Sequence, residues 1–155
     1  MAAIAYAKKY AINPNSQYKY FKLIGDNSGD CANFISQCLY SGGAPMLFNQ
    51  NPWWYKNNKC SSSWSVAHEL YWFLKLNYVN KAYGVKGFEI TSLDYLELGD
   101  LIFFENNKKV IFHSAIITEL NRPFPLISQH TPNAFNLPYT NSWSAYKYHF
   151  IKILL

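Results

Sequence analysis

Arginine is nearly missing from this chain: only Arg122 stands among 14 basic residues, and the lysines are scattered in singles and pairs. The net charge of +5 (14 − 9) therefore comes without the bidentate guanidinium forks that read guanine and grip phosphate, and nucleic-acid binding is not expected. No apolar run approaches the roughly 20 residues of a membrane-spanning helix, which argues against a membrane span. Three cysteines, Cys31, Cys38 and Cys60, cannot all pair, and their spacing fits neither a disulfide framework nor a zinc site, so no metal is expected. The start Met1-Ala-Ala-Ile-Ala-Tyr-Ala-Lys-Lys has no charged segment ahead of an apolar one and does not read as a secretory signal. Glycine and proline, seven each, are too few for a collagen-like or low-complexity chain. No glycine-rich phosphate cradle is present either, so no cofactor is implied.

What is there suits one core. A chain of 155 residues, half of them hydrophobic, reads as a single domain over 1–155, and a monomer is expected. Aromatic residues number 29, and all five tryptophans fall at or after Trp53. The stretch Asn51-Pro-Trp-Trp-Tyr-Lys-Asn-Asn-Lys is so polar around its rings that an exposed groove of Trp53, Trp54, Trp64 and Trp143 competes with a core reading.

Helical periodicity dominates the first half. Ile4, Ala7 and Ala11 are spaced for a short opening helix before Pro14. The turn-rich Gly25-Asp-Asn-Ser-Gly-Asp then ends in an Asp able to cap the next helix. There Cys31, Phe34, Ile35, Cys38 and Leu39 form an i, i+3, i+4, i+7, i+8 stripe that Gly42-Gly43 and Pro45 stop. Residues 46–63 read as loop and 64–76 as a further helix. From Gly87 the pattern turns to strands: Phe88-Glu-Ile, Asp100-Leu-Ile-Phe-Phe, Val110 through Thr118, Leu126 through Thr131, and Tyr146 through Leu154. Glu105-Asn-Asn-Lys-Lys joins two of them as a hairpin, which predicts an antiparallel sheet and an α+β fold.

One constellation suggests chemistry. Cys31 follows the turn and opens the helix, where unpaired N–H groups and the helix dipole favour a thiolate and its own N–H can face a developing oxyanion. Cys38 reads as core and Cys60 as an incidental thiol in a polar loop. A cysteine nucleophile needs a base, and His113 stands in an alternating strand on the face of Ala115 and Ile117. Neither His68, on a helix, nor His149, in the last strand, lies beside a turn that would expose it in a site. The imidazole needs an orienting partner, and Gln129, His130 and Asn133 all qualify.

The segment Asp30-Cys-Ala-Asn-Phe-Ile-Ser-Gln-Cys-Leu-Tyr-Ser-Gly-Gly resembles the nucleophile segment of the "putative amidase domain" group, relatives of the NlpC/P60 and CHAP cysteine peptidases on a papain-like fold. The likeness continues through Ala5-Tyr-Ala-Lys-Lys-Tyr-Ala, Asn13-Pro-Asn, Gly99-Asp-Leu-Ile-Phe-Phe, His113-Ser-Ala-Ile-Ile-Thr and Ser128-Gln-His-Thr, nearly the whole chain. It implies a papain-like α+β fold with N-terminal helices packed on an antiparallel sheet. It also implies Cys31 as nucleophile, His113 as base and His130 as the residue orienting the imidazole. Asp30 would belong to the substrate-side wall, with Asn27 the nearest amide for an oxyanion. The Ala32-Asn33 pair differs from the Ser-Gly usual in NlpC/P60 enzymes, so their stem-peptide preference does not transfer. The implied activity is hydrolysis of an amide in bacterial cell-wall peptidoglycan through a thioacyl-enzyme, in the wall or outside the cell if a secreted parent carries the domain. The competing class is a catalytically idle module that holds wall polymer in the aromatic groove.

Overall fold

The computed structural model describes residues 1–24, 29–121 and 123–155; Asn27 and Arg122 lie outside the described residues. Among the described residues, four α-helices precede most of the strands: α1 (Ala2–Tyr10), α2 (Cys31–Ser41), α3 (Ser62–Ser65) and α4 (Ala67–Val79). A small hairpin, β1 (Tyr55–Lys56) with β2 (Lys59–Cys60), interrupts the segment read as loop. The main sheet contains β3 (Lys86–Ile90), β4 (Leu101–Glu105), β5 (Ile111–Glu119), β6 (Leu126–Gln129), β7 (Ala134–Pro138) and β8 (Lys147–Leu154). Its order is β3-β8-β4-β5-β6-β7, antiparallel throughout, so the fold is α+β as the hairpin signal predicted.

The helix expected over 64–76 is two helices. Val66, extended at φ −113° and ψ 122°, separates α3 from α4 and serves as the α4 N-cap residue without a side-chain capping bond. Strand β7 was not foreseen, because Ala134-Phe-Asn-Leu-Pro contains neither a β-branched residue nor clean alternation.

Helix α2 is buried on all sides from Cys31 to Leu39, not only along the apolar stripe. Its polar residues are covered because each finds a partner. Trp64 Nε1 donates to Asn33 Oδ1 at 2.8 Å, Trp53 Nε1 to Ser36 Oγ at 3.0 Å, and Tyr6 OH to Gln37 Oε1 at 2.7 Å. Satisfied buried polar groups avoid a penalty of about 1–3 kcal/mol each, which is what lets the helix run through the interior. The indoles of Trp53 and Trp64 are fully buried, with ring centroids 4.8 Å apart, so of the two readings the core one holds for them and a four-tryptophan groove does not form. Trp54 stacks on Phe48, and of these four only Trp143 is exposed.

The sheet separates two apolar clusters. One, with Leu101, Phe103, Ile116 and Ile151, packs against the helices; the other, with Ile102, Phe104, Ala115 and Ile117, lies on the opposite face. Phe104 pairs with His113 and Glu105 with Ile111, so Phe112 is an extra residue in β5. This bulge reverses the facing of Ile111 and His113, which a regular strand would place on one side. Ile111 packs with the helices, and His113 shares the far face with Ala115 and Ile117.

Candidate functional site

Gly29 and Asp30 deliver the chain to α2. Gly29 sits at φ +137°, and a Cβ there would meet the Thr131 side chain at 3.0 Å, so the approach requires glycine. Asp30 N–H donates to Thr131 Oγ1 at 2.7 Å and fastens this corner to the segment after β6. Cys31 thereby becomes the first residue of α2, 8% exposed, on the wall of a cleft of about 550 Å³.

Two influences compete at the thiol. Burial pushes its pKa up from the ordinary value, while the Ser114 side chain, the Ser114 N–H and the Ala32 N–H favour the thiolate, and the Asp30 charge adds to the upward push. Burial wins, so the thiolate stabilisation expected from the helix N-terminus alone is outweighed in the free protein. Ser114 Oγ is buried and makes no hydrogen bond among the described residues, and its place beside Cys31 favours the thiolate. Strand β5 pairs with β6 from Ile116 with Ser128 onward, and Ser114 lies before that pairing, where it meets the incoming end of α2.

The residue before Ser114 is His113. Its Nε2 lies 2.9 Å from Gln129 Oε1. Gln129 Nε2 donates to Pro132 O at 3.0 Å, and Ser142 Oγ donates to Gln129 Oε1 at 2.6 Å. The amide orientation is fixed by those partners, so Oε1 accepts and His113 Nε2 carries the hydrogen. Nδ1 is then the unprotonated nitrogen. Burial lowers the His113 pKa from 6.5 to about 4 despite the Gln129 bond that raises it, so the ring is neutral at pH 7. The Trp143 indole stands edge-on with centroids 6.4 Å away, anchored by Nε1–H to Thr131 O at 2.9 Å.

The orienting contact assigned by resemblance to His130 is thus made by Gln129. His130 is fully buried elsewhere: its Nδ1 meets Asp30 Oδ2 at 2.5 Å and its Nε2 donates to Tyr10 O at 2.8 Å. Gln129 ends β6, and the backbone turns sharply one residue beyond His130, with Thr131 at φ +56°. Adjacent side chains leave an extended segment on opposite sides, so only one of the two can reach His113. Asn133 Oδ1 accepts from Tyr20 OH at 3.0 Å and is also away from the imidazole.

Asp30 likewise differs from expectation. It occupies the N-cap position but makes no side-chain capping bond. Its carboxylate accepts from Phe21 N–H at 2.9 Å and Asn33 Nδ2 at 2.8 Å in addition to meeting His130. At 1% exposure it cannot form a substrate-side wall. It shapes the corner from inside.

Sequence reasoning missed His68. The junction of α3 and α4 lines the cleft with Ser65, Val66, Ala67 and His68, opposite the β4–β5 hairpin at Asn106, Asn107 and Lys108. His68 Nδ1 accepts the Ile111 N–H at 3.1 Å. The signal was faint, because a histidine two residues into a helix looks like any polar surface position until the bulged strand is known to meet it. His149 is buried between Glu89 and Glu105 on the helix side of the sheet, outside the cleft lining. Cys38 is in the core as read; Cys60 ends β2 and packs partly against the same core.

Two proteins of Bacillus subtilis (strain 168) are similar in sequence. "Uncharacterized protein YhbB" is 33% identical over 136 residues, 84% of this chain and 40% of its own length. "Uncharacterized protein YjcM" is 30% identical over 146 residues, 88% of this chain and 32% of its own. The chain therefore spans less than half of either relative. No solved structure matches it. The family model described as "Putative amidase domain" matches residues 1–153, from the helix that supplies Tyr10 O to the last strand of the sheet, and the chain belongs to that amidase-domain family.

Proposed function

We propose that the chain is a cysteine amidase of papain-like arrangement, in which Cys31 attacks a peptide amide and His113 is the base. One observation carries the reading: Cys31 opens α2 against Ser114 of β5, and the adjacent His113, facing the other side of that strand, is held by Gln129 with Nδ1 unprotonated. As sulfur adds to the carbonyl carbon, Nδ1 takes the thiol proton. The oxyanion formed faces N–H groups at the start of α2, foremost that of Cys31. Collapse expels the amine, which receives the proton from the imidazolium, and leaves a thioester on Cys31. Water, deprotonated by Nδ1, then releases the acid and restores the thiol. Gln129 is the orienting residue and Trp143 the shield.

The starting pair is neutral thiol and neutral imidazole, since burial raises the one pKa and lowers the other. Proton transfer accompanies attack, and Ser114 supplies the hydrogen bonds that favour the sulfur anion as it forms.

The substrate we propose is a peptide amide of bacterial peptidoglycan, cleaved in the wall or outside the cell. The net charge of +5 suits an anionic glycopeptide polymer. A digest of purified wall fragments, read by mass spectrometry for new amine and carboxyl ends, is the test. Release by the wild type and none by Cys31→Ala or His113→Ala, both folded, is the expected pattern. Undiminished release by Cys31→Ala rules the mechanism out.

A further inference from the structure

The cleft beside Cys31 carries hydrogen-bond donors and no carboxylate. Among its described lining residues there is no Asp or Glu. His68 Nδ1 is occupied by the Ile111 N–H, so in the neutral ring Nε2 bears the hydrogen, and no described residue accepts it. Asn106 Oδ1 accepts from the N–H groups of Lys108 at 2.9 Å and Val110 at 3.1 Å, which leaves its NH2 as the unbonded end. Lys108, on the tip of the hairpin, has no ion-pair partner among the described residues. Val66, Val110 and Phe112 supply the apolar remainder.

A neutral apolar chain filling this space would cover the His68 donor and leave it unpaired, at a cost of about 1–3 kcal/mol. A carboxylate is the complementary group, since it only accepts and carries the charge that Lys108 lacks. We propose that the cleft is a carboxylate subsite, with His68 Nε2–H and Lys108 Nζ holding a free carboxylate of the peptide within a few bonds of the amide presented to Cys31. This rests on the amidase reading for what Cys31 does, and on the cleft alone for what is held. His68 is a specificity-determining residue here. The bulge at Phe112 belongs to the same device, because it frees the Ile111 N–H that fixes the His68 tautomer.

Two probes of nearly equal size separate charge from shape: N-acetylglycine, with a carboxylate, and N-acetylglycinamide, without one. Each is titrated into the intact wild-type chain, and the backbone amide signals of Ser65, His68 and Lys108 are followed by NMR. N-acetylglycine is expected to bind about tenfold more tightly, the worth of a charge-assisted hydrogen bond. His68→Asn keeps an oxygen for the Ile111 N–H but has nothing at the Nε2 position, and should lose most of that preference. Lys108→Gln should lose about threefold, as befits an exposed charge. Equal affinity for the two probes, absence of shifts at these amides, or an unchanged preference in His68→Asn overturns the subsite. Peptide hydrolysis by Cys31→Ala is measured separately. Carboxylate preference with undiminished hydrolysis in that variant defeats the thiol mechanism alone, whereas thiol-dependent hydrolysis with no preference defeats the subsite alone.

Discussion

His130 and Asp30, 100 residues apart in sequence, share a hydrogen bond of 2.5 Å inside the protein. The Tyr10 carbonyl only accepts, so His130 Nε2 carries a hydrogen there, while Nδ1 faces Asp30 Oδ2. Phe34 stacks on the ring at 4.1 Å. Three separate segments are thus tied together at the residue before Cys31. The arrangement is a brace for the corner, with no contact between His130 and His113.

His130→Ala leaves Asp30 buried without its partner, and breaking a buried pair in this way costs about 3–5 kcal/mol. Urea unfolding should show that loss in His130→Ala and a comparable one in Asp30→Ala. In His130→Gln, which can still donate a hydrogen bond, the loss should be smaller. Wherever the variants remain folded, turnover should stay within a few fold of wild type. A variant of full stability that has lost turnover would instead make His130 part of the catalytic machinery.

Gln129 is expected to govern the chemistry rather than the fold. Gln129→Leu removes the acceptor from His113 Nε2–H and frees the tautomer, and should lower kcat by about 10²-fold, within the range that a positioned base contributes. Gln129→Glu provides a carboxylate that favours the imidazolium, so the His113 pKa should rise from about 4 and the acid limb of the pH–rate profile should move up with it. A profile unchanged by Gln129→Glu would mean that the ring is not held by this contact during turnover.

The thiol should behave as a buried one. Alkylation of Cys31 by iodoacetamide, followed against pH by peptide mass spectrometry, should give an apparent pKa above the ordinary value of about 8.5. Ser114→Ala removes a group that favours the thiolate and should move that value higher still. A plateau of rapid reaction near neutrality would show a preformed thiolate and overturn the neutral-pair starting state.

Much of this architecture could be read from residue spacing, and the exceptions have local causes. Helices α1 and α2 and the positions of the principal strands along the chain follow from periodicity and turn residues, because those signals are carried by the chain itself. The position of Cys31 at a helix start is of that kind, since Gly29-Asp30 precedes the apolar stripe. The choice between Gln129 and His130 was not legible, because both are polar, adjacent and close to the end of a strand. Only the facing of the chain at that point separates them. His68 was invisible for a different reason: its role depends on a bulge at Phe112 and a contact spanning 43 positions, and neither leaves a mark on nearby spacing. The tryptophans stayed undecided because polar neighbours such as Asn51 and Lys56 suggested exposure, while the acceptors of the Trp64 and Trp53 indole N–H groups, Asn33 and Ser36, lie on the distant α2.

His113 also ties stability to pH. Its folded pKa of about 4 lies below the 6.5 of an unfolded histidine, so the unfolded chain binds the proton more readily. The stability this neutral ring contributes is therefore complete above about pH 6.5 and is lost as pH falls toward 4, amounting to about 3 kcal/mol. Urea midpoints at pH 7 and pH 4.5 should differ more for the wild type than for His113→Gln, which has no ring to protonate. Equal pH dependence in the two proteins would mean that His113 titrates normally.

Trp143 provides the last test, because it is an exposed residue whose removal should alter a buried one. The indole is 40% exposed, stands edge-on to His113, and is fixed by its N–H to Thr131 O. Burial is the cause of the depressed His113 pKa, so opening that side to water should relieve it. In Trp143→Ala the ring should titrate between about 4 and 6.5, as followed by the His113 ring signals in NMR, and the acid limb of activity should rise by the same amount. Trp143→Phe keeps an aromatic cover without the anchoring N–H and should fall between the two. If the His113 pKa stays near 4 in Trp143→Ala, the shielding comes from Phe104, whose ring lies 4.9 Å from the imidazole on the neighbouring strand, and Phe104→Ala becomes the variant that releases it.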